Sequence, residues 1–353
     1  MSRSRVDGAP SSTPSASRVT ARVVGAGTLL ASVPATVFAH VETSPVGNPW
    51  TAWQFTPDIV LGTLFVGALY TLGIRARGKR QRPVPWWRHL SFFGGLLLIF
   101  AALQSPLDVL SEHGFAIHQL QHLLLHTAGP MFLMLAAPQI LLTAGMPELL
   151  LRWVLAPVME NRGIRGFFRF LSRPVVATLI FIGSLYFWQI PRYHDLAVLN
   201  DGVHYLMHAT MLLAGLVFFW RVFDPRPAPP GASYGVRLAM LWATVVGNIL
   251  IGAVLTLKNS VLYPAYSELG RWFGVAALPD ERLGGIALWI PGSMMCVLAI
   301  LVVVALWGSQ DARADDRRQR GVGPLADRAA ADPSAAIRLA ASRNKALALR
   351  LGM

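Results

Sequence analysis

The sequence predicts an all-α protein, a polytopic membrane helix bundle with seven transmembrane helices after an N-terminal signal or anchor segment. Three observations carry that prediction. Apolar residues make up 54% of the 353 residues and charged residues only 14%, too few to cover a soluble fold of this length. Several apolar stretches reach or approach the roughly 20 residues needed to cross a bilayer. Lys and Arg collect in alternate connections between those stretches.

Residues 1–39 have the form of an export signal. Arg18 and Arg22 precede an apolar run from Val23 to Val33, and Val37-Phe38-Ala39 offers a small-residue cleavage site. Uncleaved, the same run is an anchor helix. Residues 40–308 form the seven-helix domain, with spans near 58–74, 87–106, 115–138, 175–190, 204–222, 235–257 and 285–308. Gly129-Pro130 and Pro138 interrupt the third span, which should kink there. Residues 309–353 form a basic tail, partly disordered, in which Ala335 to Leu351 has the composition of a basic surface helix.

The connections set the orientation. The 75–88 loop holds Arg75, Arg77, Lys79, Arg80, Arg82 and Arg88, and the loop after the third span holds Arg152, Arg162, Arg165, Arg169 and Arg173. Arg221, Arg226 and Arg237 flank the 223–234 loop, and the tail adds nine basic residues. The other connections are poor in Lys and Arg. The basic loops are therefore expected in the cytoplasm, with the mature N-terminus periplasmic and the C-terminus cytoplasmic in a bacterial inner membrane. Aromatics near the span ends fit headgroup belts: Trp50, Trp53, Trp188, Tyr193, Tyr263, Tyr266 and Trp272 outside, Trp86, Trp87, Trp220 and Trp307 inside. The net charge of +13 is explained by these loops and the tail, without a nucleic-acid surface. The single cysteine, Cys296, excludes an intrachain disulfide and a thiolate pair for metal.

Histidines carry the chemistry. His118, His122 and His126 recur every four residues in the third span, and His204 and His208 repeat the spacing in the fifth. A four-residue step returns to nearly the same helix face, so each set forms one stripe. In the expected orientation both stripes start at the outer face, with His126 deepest at roughly 16 Å. His40, His113 and His194 fall in outer connections, and only His89 lies on the cytoplasmic side. Ionisable side chains within a bilayer mark ligand, ion or proton sites. Neutral imidazole is the commonest metal-binding side chain, and with cysteine nearly absent the candidates are copper, zinc or haem iron.

The expected primary ligands are His118, His122, His204 and His208, with His126 and Met207 accessory and His40, His113, His194 and Asp280 as access or accessory positions. His126 could equally hold a structural polar contact. Met207, Met211, Met294 and Met295 supply either soft sulfur for Cu(I) or ordinary membrane packing. Gln121 either orients an imidazole or bonds a neighbouring helix. Asp280 and Glu281 either receive a cation or solvate a loop, Gly284-Gly285 permits close helix approach, and Lys258 snorkels. No nucleophile elbow, phosphate loop or zincin motif is present, which points away from an enzyme.

Three blocks resemble the polytopic CtaG-type cytochrome c oxidase assembly factors. They are His118-Gln119-Leu120-Gln121-His122 followed by Gly129-Pro130 and Ala137-Pro138, then His204-Tyr205-Leu206-Met207-His208 with Gly215 and Phe219-Trp220, then Asp280-Glu281-Arg282-Leu283-Gly284-Gly285 with Trp289. The chain departs from the family pattern at Gly129, Glu281 and Arg221-Val222, all away from the histidines. The resemblance implies a non-enzymatic role in maturing oxidase copper centres, with cytochrome c oxidase subunits and periplasmic copper donors as partners. Two other readings of the histidines remain open at this point: a bis-histidine b-type haem for electron transfer, and a copper permease.

Overall fold

The computed structural model describes residues 48, 51, 53–77, 83–226 and 231–331. The export segment with its cleavage site, His40, Trp50 and the expected helix at 335–351 lie outside them. Among the described residues the elements are all helical. They are α1 (Pro57–Ala76), α2 (Trp86–Gln104), α3 (Pro106–Glu112), α4 (Phe115–His122), a π-helical turn Leu123–Ala128, α5 (Gly129–Leu135) and α6 (Gln139–Gly145). Next come α7 (Glu148–Leu150), a second π-helical turn, α8 (Ala156–Glu160), α9 (Arg162–Leu171), α10 (Pro174–Trp188) and α11 (Pro191–Val198). The chain continues through α12 (Asp201–Val222), α13 (Tyr234–Leu257), α14 (Ala265–Glu268) and α15 (Ala277–Ala331).

Five helices are long and apolar enough to span a bilayer: α1, α2, α12, α13 and the Ala277–Ala312 part of α15. Two bent pairs bring the number up to seven. The α4–α5 rod meets α6 at 76°, and α9 meets α10 at 71°. The protein is thus a multi-pass membrane protein, with spans where the sequence places them. The third span does not break at Gly129-Pro130, where the rod is only irregular, and bends sharply at its far end instead. Pro130 has no N–H for the His126 carbonyl, and the wider π-helical turn precedes it. At the far end Ala137 takes a positive φ of 49° just before Pro138, which turns the chain into α6 against α1. Beyond residue 308 the helix does not stop. α15 runs on to Ala331 through sequence rich in Ala and Arg, both strong helix formers.

Hydrogen bonds identify one end of the bundle. The start of α1 meets the end of α2 through Thr56 N–H and Gln104 Oε1 (3.2 Å), and meets α12 through Tyr205 Oη and Asp58 Oδ2 (3.0 Å). The starts of α4 and α15 join through Phe115 and Asp280. The end of α10 meets the connection after α13 through Gln189 and Tyr263. All the site histidines lie toward this end. At the opposite, basic end Arg237 of α13 donates to the carbonyls of Ala232 (2.9 Å) and Val222 (3.2 Å). Burial follows the same division. One apolar cluster (Phe115, Trp188, Met207, Met211, Tyr263, Tyr266) underlies the histidine end, and another (Phe181, Phe218, Phe219, Met240, Val303) fills the bundle farther along.

Three aromatics expected in a headgroup belt lie in the interior instead. Tyr263 and Tyr266 are fully buried and Trp188 nearly so, whereas Trp53 and Trp86 stay exposed. The connection between α13 and α15 folds inward over the helix ends and carries the two tyrosines with it.

Candidate metal centre

Two close contacts at glycines position the histidine-bearing helices. The first is at Gly215 on α12. A Cβ there would collide with the His126 carbonyl oxygen and approach Pro130 Cγ to 2.8 Å. Glycine lets α12 rest on the backbone of the interrupted third span, two helical turns from His208. The second is at Gly284 on α15, where a Cβ would overlap the Phe115 ring and come within 3.2 Å of Gln119 Cγ. The start of α4 is then fixed from another helix. Its N-cap residue, Gly114, has no side chain, and Asp280 of α15 substitutes for one. Asp280 Oδ2 accepts from Phe115 N–H (2.8 Å) and Oδ1 from Ala116 N–H (3.0 Å), while Arg271 pairs with the same carboxylate. A carboxylate at a helix N-terminus satisfies free donors and complements the helix dipole.

The imidazoles converge as a result. Ring centroids are 4.3 Å apart for His118 and His122, 4.3 Å for His204 and His208, 5.1 Å for His118 and His204, and 5.8 Å for His118 and His208. His122 is 5.6 Å from His208. One nitrogen each from His118, His204 and His208 lies within 4.8 Å of the others, close enough to hold one ion. The fifth ring is His194 of α11, 5.1 Å from His118 and 6.4 Å from His122.

The nitrogens of these rings are short of partners. His118 Nε2, His204 Nε2, His208 Nε2 and both ring nitrogens of His122 are buried without a hydrogen bond. Each such group costs about 1–3 kcal/mol. So many orphans in one cluster call for an explanation, and a bound cation supplies one for those of His118, His204 and His208. The donor set is imidazole alone, which suits copper, zinc or iron and is unsuited to calcium or magnesium.

A cap closes the site on its exposed side. Glu281 accepts from the N–H groups of Leu262 and Tyr263 (2.9 Å each) and pairs with buried Lys258, anchoring the 258–263 stretch. Lys258 is therefore held inward rather than snorkelling. Tyr263 stacks on Phe115 at 4.5 Å and donates to the Gln189 carbonyl (2.8 Å). Tyr266 places its hydroxyl 2.7 Å from His118 Nδ1 and 2.7 Å from His194 Nε2. His194 Nδ1 lies 2.9 Å from the Trp188 carbonyl. Burial pushes the His194 pKa down to about 4, against the opposing pull of that carbonyl and with some help from His204. Burial likewise raises Tyr266 well above the usual phenol range. Both are neutral at physiological pH.

A model of the family described as cytochrome c oxidase caa3 assembly factor (Caa3_CtaG) matches residues 68–310, the part of the chain that holds every one of these side chains. The chain belongs to that family. Three curated relatives are more distant. An uncharacterized protein of Mycobacterium leprae (strain TN) is 22% identical over 77% of this chain. Uncharacterized proteins of Mycobacterium bovis (strain ATCC BAA-935 / AF2122/97) and Mycobacterium tuberculosis (strain CDC 1551 / Oshkosh) are each 24% identical over 76% of it. The chain spans only about two-fifths of these relatives' length, 42% of the first and 41% of the other two. No solved structure matches.

Within this caa3 assembly factor family member, the expected ligands do not all meet. His118, His122, His204 and His208 form the cluster, joined by His194. His126 is turned to other work: its ring stacks on Phe181 at 3.9 Å, and Nε2 contacts Ser184 Oγ at 3.2 Å. Met207 is fully buried in the apolar cluster with Trp188 and Met211. His113 contacts the Gly270 carbonyl (2.9 Å) and the edge of Trp272, tying down the cap. Asp280 caps α4, as described. Gln121 Nε2 bonds Ala102 O (2.8 Å) and Asp108 Oδ1 (2.6 Å), so it links helices rather than orienting His122. Met294 is 61% exposed on the outer surface of α15 and Met295 packs among apolar residues, so neither approaches the histidines.

Sequence reasoning missed two things. Tyr266 was assigned to a membrane belt, because nothing in the spacing Tyr263-Pro264-Ala265-Tyr266 shows that the connection folds inward. The acids Asp108 and Glu112 also passed unnoticed. Burial raises Asp108 to about 7, against the Gln121 hydrogen bond. Burial, then Asp108 and Asp201, raises Glu112 to about 8.

Proposed function

We propose that this protein handles copper during cytochrome c oxidase assembly, holding it at the extracytoplasmic end of the bundle and passing it to a nascent oxidase subunit. One observation carries the reading: three imidazoles from two membrane helices, two of them buried and one partly so, have ligand atoms within 4.8 Å of one another. Their unpartnered Nε2 atoms make a first position for an ion. His122, one turn farther along α4 with both nitrogens free, offers an exchange partner for His208. Transfer by stepwise ligand exchange needs such neighbouring donors of similar strength. His204 is the partly accessible member of the set and the natural point of arrival for copper from a periplasmic donor. The family supports the oxidase as recipient. The charge pattern of the connections supports a periplasmic site.

The alternatives fit less well. A b-type haem needs a broad slot between two axial rings, and here other imidazoles crowd the space around every histidine pair. A permease needs ligands continuing through the bundle, and Met294 faces away while His126 is engaged by Ser184 and Phe181.

The test is metal analysis with an absorption spectrum on detergent-purified protein, beside the His122→Ala/His208→Ala double variant. About one equivalent of copper in the wild type is expected, together with its loss in the variant and copper-poor oxidase in cells carrying it. A wild type that takes up no copper, a variant that leaves oxidase copper normal, or a Soret band would overturn the reading.

A further inference from the structure

Resting on the copper reading, we propose that Tyr266 is a positioning residue of this centre: its hydroxyl, held between His194 and His118, commits His118 to offer Nε2 to the ion. The argument is a count of protons along a chain of three hydrogen bonds. It begins at the Trp188 carbonyl, which can only accept. His194 Nδ1, 2.9 Å away, therefore carries a hydrogen and donates it. A neutral imidazole has one N–H, so His194 Nε2 is a bare lone pair. The atom facing it at 2.7 Å is the Tyr266 hydroxyl, which must donate. The Tyr266 oxygen then accepts from its other neighbour, and His118 Nδ1 at 2.7 Å supplies the N–H. With its hydrogen on Nδ1, His118 keeps its lone pair on Nε2, the atom that is buried without a partner and belongs to the ion-sized cluster.

Reversing the chain requires a doubly protonated His194. That ring is fully buried and its neighbours are rings: Phe115, His118, His122, Tyr263 and Tyr266. No carboxylate bonds it. The direction of the chain is thus set by one backbone carbonyl three hydrogen bonds from His118.

The arrangement does two things for the ion. It removes the tautomer choice that would otherwise leave His118 presenting the correct nitrogen only part of the time. It also places a hydrogen-bond acceptor behind the ligand, which orients the ring and raises its basicity. The tyrosine is itself held rigidly. Tyr266 sits in α14, between the 258–263 stretch secured by Glu281 and the Gly270 carbonyl tied to His113. Through Tyr266 the capping connection acts on the ligand set, although it contributes no ligand atom.

The matched pair Tyr266→Phe and Tyr263→Phe tests this. Both remove one buried hydroxyl, and of the two only the Tyr266 hydroxyl bonds imidazoles, whereas that of Tyr263 bonds Gln189. Full-length protein in detergent is titrated with Cu(I) against a chromophoric chelator, and imidazole nitrogen shifts report the His118 tautomer in the metal-free state. The expected result is a loss of about 10- to 100-fold in Cu(I) affinity for Tyr266→Phe, with mixed His118 tautomers. Tyr263→Phe should stay near wild type in both measurements. Wild-type affinity and tautomer in Tyr266→Phe would refute the positioning role while leaving the copper site standing. Equal loss in both variants would refute it as well, by showing a general effect of the cap. A wild type that binds no Cu(I) would remove the copper reading beneath it.

Discussion

Gly215 of α12 rests directly on the carbonyl oxygen of His126, the carbonyl that Pro130 leaves without an α-helical donor. This contact sets the distance between the two histidine-bearing helices, and the separation of the upper imidazoles follows from it. Gly215→Ala puts a methyl group against backbone that cannot rotate away. Overpacking of this kind costs about 1–3 kcal/mol. The variant should melt lower in detergent and bind copper more weakly although every histidine is intact. Unchanged copper affinity would show that the helices are positioned by other contacts.

His126 lies on the same sequence stripe as His118 and His122 but is occupied by Phe181 and Ser184. His126→Ala should keep the copper stoichiometry of the wild type and lose roughly 2–4 kcal/mol of stability through the cavity left beside Phe181. A drop in bound copper comparable to that of His208→Ala would return His126 to the ligand set.

Asp280 and Glu281 are adjacent acids with separate tasks, and their variants should differ in size of effect. Asp280→Ala uncaps α4, worth about 0.5–2 kcal/mol, and also leaves the largely buried Arg271 without its carboxylate, so its cost should exceed that of the cap alone. Glu281→Ala frees two backbone donors and leaves Lys258 buried without its counter-charge, for which about 3–5 kcal/mol is expected. Thermal melting of both variants, with Lys258→Met/Glu281→Leu as the double control, orders them. A double variant as unstable as Glu281→Ala alone would show that packing, and not the unpaired charge, dominates.

Asp108 and Glu112 give a pH signature. Their folded-state values, about 7 and about 8, lie above their ordinary values of 3.8 and 4.5. Between the two limits the folded protein holds protons that the unfolded chain has released, so stability falls as pH rises. Melting temperature should therefore decline from about pH 4 to about pH 8, the window those values define. Glu112→Gln should flatten the decline, stabilising the protein at pH 8 and changing little at pH 5. A variant with the wild-type slope would assign the pH dependence to other groups.

Much of the architecture could be read from residue order. The apolar runs locate the spans, because a bilayer imposes one length and one hydrogen-bonding solution on any segment that crosses it. The four-residue histidine spacing places His118 with His122 and His204 with His208, because helix periodicity is a local property. His126 shows where that reasoning stops: its spacing is the same, and its neighbours differ. The inward turn of Tyr263 and Tyr266 was illegible for the same reason, since short connections with two aromatics serve equally as membrane belts or as interior caps.

The sequence by itself determined that this chain crosses a membrane in helices and carries paired imidazoles near one end of two of them, since composition and periodicity act over a few residues at a time. Tertiary structure alone decided which imidazoles share a point, that His194 joins them, and that Tyr266 stands behind His118. Those outcomes depend on contacts such as Gly215 with His126 and Asp280 with Phe115, which join positions 89 and 165 residues apart. Close packing of that kind depends on how whole helices fit together, and no local pattern of residues encodes it.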